Sequence, residues 1–202
     1  MSRWIEPVVL TGTHVLLEPL SPEHAAGLAE AVRDGELWHL WYTAIPAPHA
    51  VDDYLSVALN MREHNGAMPF VVRDRRSLDI VGCTRFFNVD EPNRRLEIGH
   101  TWYAKRAQRT AVNSESKLLL LQHAFDQLDA IAVEFRTHWH NQASRKAIAR
   151  LGAKQDGVLR HHQRGIDGTF RDTVVFSIIA VEWPAVRQSL QFALSRNQHS
   201  PT

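Results

Sequence analysis

Two strand-to-helix junctions carry residue types that could hold an anion. The first, Asn141-Gln-Ala-Ser-Arg-Lys-Ala-Ile-Ala-Arg-Leu-Gly152, follows a strand-like run from Ala132 to His138. Asn141 is a helix-capping residue, a short amphipathic helix follows, and Gly152 stands where a helix C-terminus favours glycine. The second junction, Gln108 to Lys117, has the same character. Two helix N-termini that face one ligand would offer it N–H groups not spent inside the helices, which suits a long anionic cofactor. Proton chemistry has its candidates nearby, on Arg95-Leu-Glu-Ile-Gly-His-Thr-Trp-Tyr103. Glu97 and His100 are three positions apart, so a regular strand would point them to opposite faces. A bulge at Gly99 would change the parity and bring them together.

The elements that must position these residues follow from the apolar periodicity. His14 to Glu18 reads as a strand, and Ser21-Pro22-Glu23 opens a helix with Ala25, Leu28, Ala29 and Val32 on one face. An aromatic-rich connection with Trp38, Trp41 and Tyr42 ends at Pro46 and Pro48, and a second helix is expected over Asp52–His64. Met68–Arg73, Asp79–Phe87 and Arg95–Tyr103 form an antiparallel meander, joined by polar turns at 74–79 and 88–93. The period then becomes helical over Ser116–Leu128, with Lys117, Leu121, Ala124, Phe125 and Leu128 on one stripe. Strand Ala132–His138, helix Gln142–Leu151, strand Lys154–His162, a hairpin turn at Ile166–Thr169 and strand Phe170–Ala180 come next. A terminal helix over Trp183–Leu194 and a frayed tail complete the chain.

Composition bounds the classes. With 202 residues, 44% of them hydrophobic, and no repeats or shifts in composition, the chain is expected to be one α+β domain over 1–202. A formal net charge of +1 gives no general nucleic-acid signal. The single cysteine, Cys83, lies in an apolar run, excludes an intrachain disulfide and reads as a small buried hydrophobe rather than a nucleophile. The N-terminus lacks the apolar segment of a signal peptide, and no run approaches a membrane span, so the expected location is the cytoplasm with no membrane partner. His138, His140, His161 and His162 lack the spacing of a metal site, so no metal is expected.

The order of strand, two helices, three meander strands, helix, strand, helix and hairpin resembles the GNAT superfamily of acyl-CoA-dependent N-acyltransferases. Asn141-x-x-Ser144 ending in Leu-Gly-Ala, Asp156-Gly-Val-Leu-Arg160, and Gly168-x-x-Arg171-Asp172 resemble its RimJ/RimL-like branch, whose enzymes acetylate protein N-termini and small amines. The resemblance covers roughly 8–182, leaving the helix at 183–194 and a tail at 195–202. It implies a mixed, mostly antiparallel sheet of about seven strands, splayed at a central cleft and flanked by helices. One departure stands out. The superfamily's cofactor loop reads Gln/Arg-x-x-Gly-x-Gly/Ala, and here Ala111 and Asn113 occupy the two small-residue positions. Ala111 is costly only if its φ must be positive, and the Asn113 side chain takes up volume.

What the resemblance implies for the site can be stated residue by residue. Acetyl-CoA is the expected co-substrate and a primary amine the acceptor, with direct transfer and no covalent enzyme intermediate. The amine, whose pKa in water is about 10, must lose a proton. Glu97 or His100 would take it; alternatively Glu97 pairs with an arginine and His100 is a hydrogen-bonded core residue. The backbone of Trp102, Tyr103 and Ala104 would bind the pantetheine arm, although the Trp102 ring itself reads as core. Gln108, Arg109, Thr110, Ala111, Val112, Asn113 and Ser114 would cradle the cofactor phosphates. Asn141 is either a pantetheine ligand or a plain cap. Ser144 would meet the cofactor or protonate the leaving thiolate, because Ala147, Ile148 and Ala149 stand where many members carry an acidic Tyr. Arg109, Arg145 and Lys146 either neutralise phosphates or form an exposed charge run. Trp38, Trp41 and Tyr42 either wall the acceptor site or pack in the core, and Arg160–Arg164 is a cationic strand edge or an acidic-acceptor contact. The resemblance also allows a homodimer. The rival to catalysis is a non-catalytic acyl-CoA-binding module of the same fold, motivated by the altered loop and the missing Tyr.

Overall fold

Strand pairing builds one sheet from the two ends of the chain inward. A computed structural model describes residues 4–64, 66–165 and 168–198. In chain order its strands are β1 (Leu10–Thr11), β2 (Val15–Pro19), β3 (Met68–Asp74), β4 (Ile80–Asp90), β5 (Arg95–Tyr103), β6 (Ala132–His138), β7 (Lys154–Arg164) and β8 (Phe170–Ile179). They assemble as β1-β2-β3-β4-β5-β6-β8-β7, eight strands rather than about seven. The extra one is β1, whose two residues carry no alternation that a sequence could display. Every neighbouring pair is antiparallel except β5 and β6.

That one parallel pair shapes the molecule. Only Arg95–Glu97 are in register with Ala132–Glu134. Beyond Glu97 and Glu134 the two strands part, and the edge of β5 that faces β6 has no strand partner along the rest of its length. The splayed cleft expected from the resemblance is therefore present.

Helices cover both faces. On one side α1 (Ala25–Arg33) and α2 (Val51–His64) bury Leu28, Ala31, Val32, Val51, Leu55 and Ala58 against Val71, Cys83 and Trp102 of the sheet. On the other, α3 (Ala111–Gln122), α4 (Gln142–Arg150) and α5 (Trp183–Gln198) cover the larger core, in which Phe70, Phe86, Leu121, Val133 and Phe176 are buried. Burial of these apolar side chains is the main favourable term holding the layers together. Among the described residues no helix is long and apolar enough to cross a membrane.

Helix α3 begins at Ala111, five residues before the expected Ser116. Thr110 caps it: its hydroxyl accepts the Val112 N–H at 3.2 Å and donates to the Ala107 carbonyl at 2.7 Å. The stretch Ala111–Glu115 breaks apolar periodicity with Asn113 and Ser114, which hid that first turn. The helix widens into a π turn over His123–Gln127 before β6. Glu115 anchors α3 to the sheet, since its carboxylate accepts the Thr13, His14 and Val15 N–H groups at 2.8, 2.6 and 2.8 Å. The turn expected at Ile166–Thr169 includes 166 and 167, which lie outside the described residues, as does the tail from 199 onward.

Candidate active site

A one-residue bulge in β5 organises the cleft. Cys83 pairs with Trp102 but Arg85 pairs with Gly99, so β5 has one residue more than β4 between these rungs. The extra residue is absorbed beside His100, whose φ of 49° is left-handed. The bulge thus forms next to Gly99, with the histidine and not the glycine in the strained conformation. Gly99 serves close approach instead, because a Cβ there would meet Phe87 Cε1 at 2.6 Å.

The parity change brings Glu97 and His100 to one side. Glu97 pairs with Phe87 across the β4–β5 ladder, and the His100 ring packs edge-on to Phe87 at 4.8 Å. Cys83 and Trp102 share this face and lie in the core beneath α1 and α2. Cys83 itself is inert: the Tyr54 hydroxyl lies 3.0 Å from its sulfur, and burial pushes its thiol pKa up to about 11.

Glu97 is 3% exposed. Asn88 Nδ2 donates to its carboxylate at 2.8 Å, and Arg136 Nε lies 3.4 Å away. Burial wins over both, raising its pKa to about 7. His100 is an exposed residue, yet desolvation of its ring and the charges of Arg85 and Arg171 hold its pKa down to about 3. Near neutrality the carboxyl group is therefore the one poised to exchange a proton, while the imidazole is neutral.

Behind the bulge, on the α3 side, lies a polar group that sequence reasoning placed on an apolar stripe. Lys117 is 5% exposed and donates to Thr101 Oγ1 at 2.7 Å and to Thr84 Oγ1 at 3.3 Å. Burial lowers its pKa to about 7. The two threonine hydroxyls are themselves 2.7 Å apart. This network ties the bulged residue Thr101 to both β4 and α3.

The cofactor-loop residues lie at the start of α3. Arg109 takes the left-handed conformation, with φ of 60°, whereas Ala111 and Asn113 are in the first helical turn. The strain that a missing glycine would cause at Ala111 is therefore absent. Gln108 is exposed, and its Nε2 donates to the Tyr103 carbonyl at 3.0 Å. The Ala104 backbone is already engaged: its N–H donates to Val81 O at 2.8 Å and its carbonyl accepts the Ala107 N–H. The free β5 edge is thus contributed by residues before it. Trp102 and Tyr103 bury their rings on opposite faces of the sheet.

At the start of α4 the Asn141 side-chain oxygen accepts the Ser144 N–H at 3.0 Å, so its acceptor is spent as a cap. Ser144 is half-buried in the first turn. Lys146 is exposed, and Arg145 lies over the Trp139 ring at 4.4 Å. The three aromatic residues of the α1–α2 connection separate. Trp38 packs against the core beneath α1 and α2. Trp41 is 65% exposed and meets the rings of His138 and His140 at 5.0 and 5.5 Å, and Tyr42 reaches His138 at 6.2 Å. His138 ends β6, so these rings stand at the mouth of the split. Sequence reasoning weighed the two histidines only as metal ligands; nothing in the sequence pairs them with a tryptophan a hundred positions earlier.

Comparison with known proteins agrees with this geometry. The acetyltransferase (GNAT) domain family matches residues 14–154. YdaF of Bacillus subtilis (strain 168), provisionally named a ribosomal N-acetyltransferase, is 24% identical over 176 residues, covering 84% of this chain and 93% of its own. A crystal structure from T. thermophilus, provisionally named an acetyltransferase, shares 32% identity with a TM-score of 0.82, covering 95% of this chain and 99% of that one. Mycobacterium smegmatis RimJ in complex with CoA-disulfide superposes with a TM-score of 0.77 at 21% identity, over 93% of this chain and 95% of its own, and speaks for the fold alone. The split sheet, the bulge beside His100 and the family match converge: the chain belongs to the GNAT acetyltransferase family and is an acyl-CoA-dependent N-acetyltransferase.

Proposed function

We propose that this enzyme transfers an acetyl group from acetyl-CoA directly to a primary amine, with Glu97 as the general base. The observation that carries the reading is the Glu97 carboxyl, buried beside the start of the β5–β6 split with its pKa raised to about 7. A base with a pKa near the working pH is ionised often enough to accept a proton and basic enough to hold it. The substrate ammonium loses its proton to Glu97, directly or through water, and the neutral nitrogen attacks the thioester carbonyl. The C–N bond forms as the C–S bond breaks, and the sulfur leaves as thiolate. Ser144, in the first turn of α4, is the residue of this chain offered to protonate it, and the second proton of the acylated nitrogen restores the serine hydroxyl as the amide forms. His100, neutral near pH 7, contributes a hydrogen bond without adding charge.

The residues suit an acyl-CoA donor. Unpaired β5 backbone beyond Glu97 offers hydrogen bonds to a pantetheine-like chain, and the first turns of α3 and α4 offer N–H groups to phosphates. Arg109 and Lys146 are exposed cations beside those turns. A direct route is favoured because Cys83, a buried thiol, is no nucleophile. Helical geometry at Ala111 and Asn113 removes the main ground for a non-catalytic binding module. Trp41 and Tyr42 wall the acceptor end, where a protein N-terminus, as the name of YdaF suggests, or a small amine would enter.

A thiol-release assay with acetyl-CoA against a panel of amines and N-terminal peptides tests this, beside a thermal-shift measurement with CoA. Turnover with any amine is expected, with CoA raising the melting temperature. Stabilisation by CoA without turnover of any acceptor would overturn the catalytic assignment of Glu97.

A further inference from the structure

The acceptor face of the cleft holds more positive charge than its own carboxylates balance. Glu134 is taken by Arg95 at 2.6 Å and Arg136 at 2.9 Å, and Glu97 by Arg136 at 3.4 Å. Asp172 is taken by Arg160 at 2.6 Å. Two further guanidinium groups have no carboxylate within ion-pair distance among the described residues. Arg85 is 2% exposed; it reaches Met61 Sδ at 3.2 Å and the side chain of Tyr54, whose ring centroid lies 5.3 Å away. Arg171 is half-buried, and its Nε donates to Thr173 Oγ1 at 3.1 Å.

Strand register places Arg85 at the bulge and Arg171 just past the end of β6. Arg85 pairs with Gly99, the residue before His100. Thr173 pairs with His138, and Arg171 stands two residues earlier on the same side of β8. The charges of both arginines reach His100, and that of Arg171 reaches Glu97 and His138 as well. Neither is placed for the donor's phosphates, which the reading above assigns to the starts of α3 and α4. Arg85 lies between β4 and α2, on the opposite face of the sheet from α3.

A buried guanidinium without a counter-ion is costly to keep, and the geometry of the group suits a planar, two-oxygen anion. We propose that the amine acceptor carries a carboxylate that sits against Arg85 and Arg171 beside His100. This inference rests on the acetyltransferase reading of the same cleft. A free amino acid supplies the carboxylate next to the amine; a peptide with an acidic first residue supplies it one or two bonds further out. The neutral His100 lets an anion bind without placing a third cation at the site.

Matched acceptors test it. Thiol release is measured for a free amino acid against its amide, and for a peptide beginning with Asp against the same peptide beginning with Asn. In one of the two pairs the carboxylate member is expected to have a kcat/KM at least about tenfold higher, and the pair that shows it identifies the source. Arg171→Gln and Arg85→Met are expected to bring that ratio down to about one, with Arg171→Lys recovering part of it. Should Arg85→Met fail to fold by circular dichroism, Arg171→Gln decides. Equal kcat/KM within both pairs overturns the inference and leaves acetyl transfer standing. So does a loss in Arg171→Gln that is the same for both members of a pair, because the guanidinium would then serve all acceptors alike. A binding arm is independent of turnover: with CoA present, an N-acetylamino acid should raise the melting temperature more than its amide, and Arg171→Gln should abolish the difference. If no amine is turned over, the acetyltransferase reading fails, and equal shifts in the binding arm overturn this inference separately.

Discussion

Asn88 donates its amide N–H to Glu97 at 2.8 Å, so the ionised carboxylate is held by a neutral donor as well as by Arg136. Asn88 lies in the irregular step of β4 between Phe87 and Asp90, Glu97 stands at the last β5–β6 rung, and the chemistry proposed for Glu97 depends on both burial and this bond. Burial raises the Glu97 pKa from 4.5 to about 7, while Asn88 and Arg136 pull it down. The rate is therefore expected to rise with pH through about 7, as the base ionises. Glu97→Gln should lower kcat/KM by about 10² to 10⁴ and remove that acidic limb. A pH–rate profile that kept the wild-type limb in this variant would exclude Glu97.

Stability should move in the opposite direction with pH. A group whose folded pKa is raised contributes stability that is complete below its unfolded value and is lost as pH rises through the folded one. For Glu97 that window runs from about pH 4.5 to about 7. Glu97→Gln, which cannot ionise, should gain on the wild type by about 3 kcal/mol between pH 4 and pH 8, read from urea midpoints.

Asn88→Ala removes a donor to the charged form, so the Glu97 pKa should rise further. The acidic limb of kcat/KM is then expected to shift to higher pH with its plateau largely retained. An unshifted limb would mean that the Asn88 bond does not report on the base.

Lys117 offers a second titration with the reverse sign. Its folded pKa is depressed from 10.5 to about 7, so its contribution is complete above the unfolded value and is lost as pH falls through about 7. Lys117→Met should accordingly become more favourable relative to wild type between pH 10 and pH 6, by a few kcal/mol, on the order of 3. Denaturation midpoints at pH 6, 8 and 10 measure this, and a difference constant with pH would show that the buried amine does not titrate there.

Glu115 is expected to matter to the fold rather than the reaction. Its carboxylate accepts three backbone N–H groups that lead into β2. Glu115→Ala should cost about 3 kcal/mol in urea unfolding, because three donors, from exposed Thr13 to buried Val15, lose their partner together. Glu115→Gln should recover only part, since it replaces one acceptor oxygen with an NH₂ group.

The two tryptophans of the α1–α2 connection should respond differently to truncation. Trp41→Ala is expected to change stability by less than about 1 kcal/mol, since the ring is 65% exposed, and to raise the acceptor KM. Trp38→Ala should lower stability by about 2 kcal/mol with a smaller effect on KM, because its ring packs on the core beneath α1 and α2. Thermal melts and acceptor saturation curves separate the two.

The order of elements was legible in the sequence because it depends on local periodicity and caps, which Asn141 and the alternating meander strands display plainly. What was not legible depended on partners distant in the chain. A bulge was readable near Gly99, but glycine was the natural guess for the strained position; His100 holds it, while Gly99 admits the Phe87 ring. Lys117 sat on an apolar stripe, and only the Thr84–Thr101 pair explains why an amine is tolerated there. Arg85 lies within a buried strand run that gives no hint of its missing counter-ion. Trp38, Trp41 and Tyr42 looked like one aromatic group from their spacing, yet Trp38 turns to the core and the others to His138. Helix α3 was placed five residues late because its first turn is polar and its cap, Thr110, was read only as a ligand.

The short β5–β6 ladder also bears on how the molecule moves. With register limited to Arg95–Glu97 and Ala132–Glu134, the meander β1–β5 and the β6–β8–β7 plate are joined along their shared seam by a few rungs at one end. Such a seam behaves as a zipper closed only at its base. A donor chain lying along the open length of β5 would act as the missing teeth, so ligand binding should slow amide exchange at 98–103 and at the far end of β6 together, even at positions the ligand does not touch.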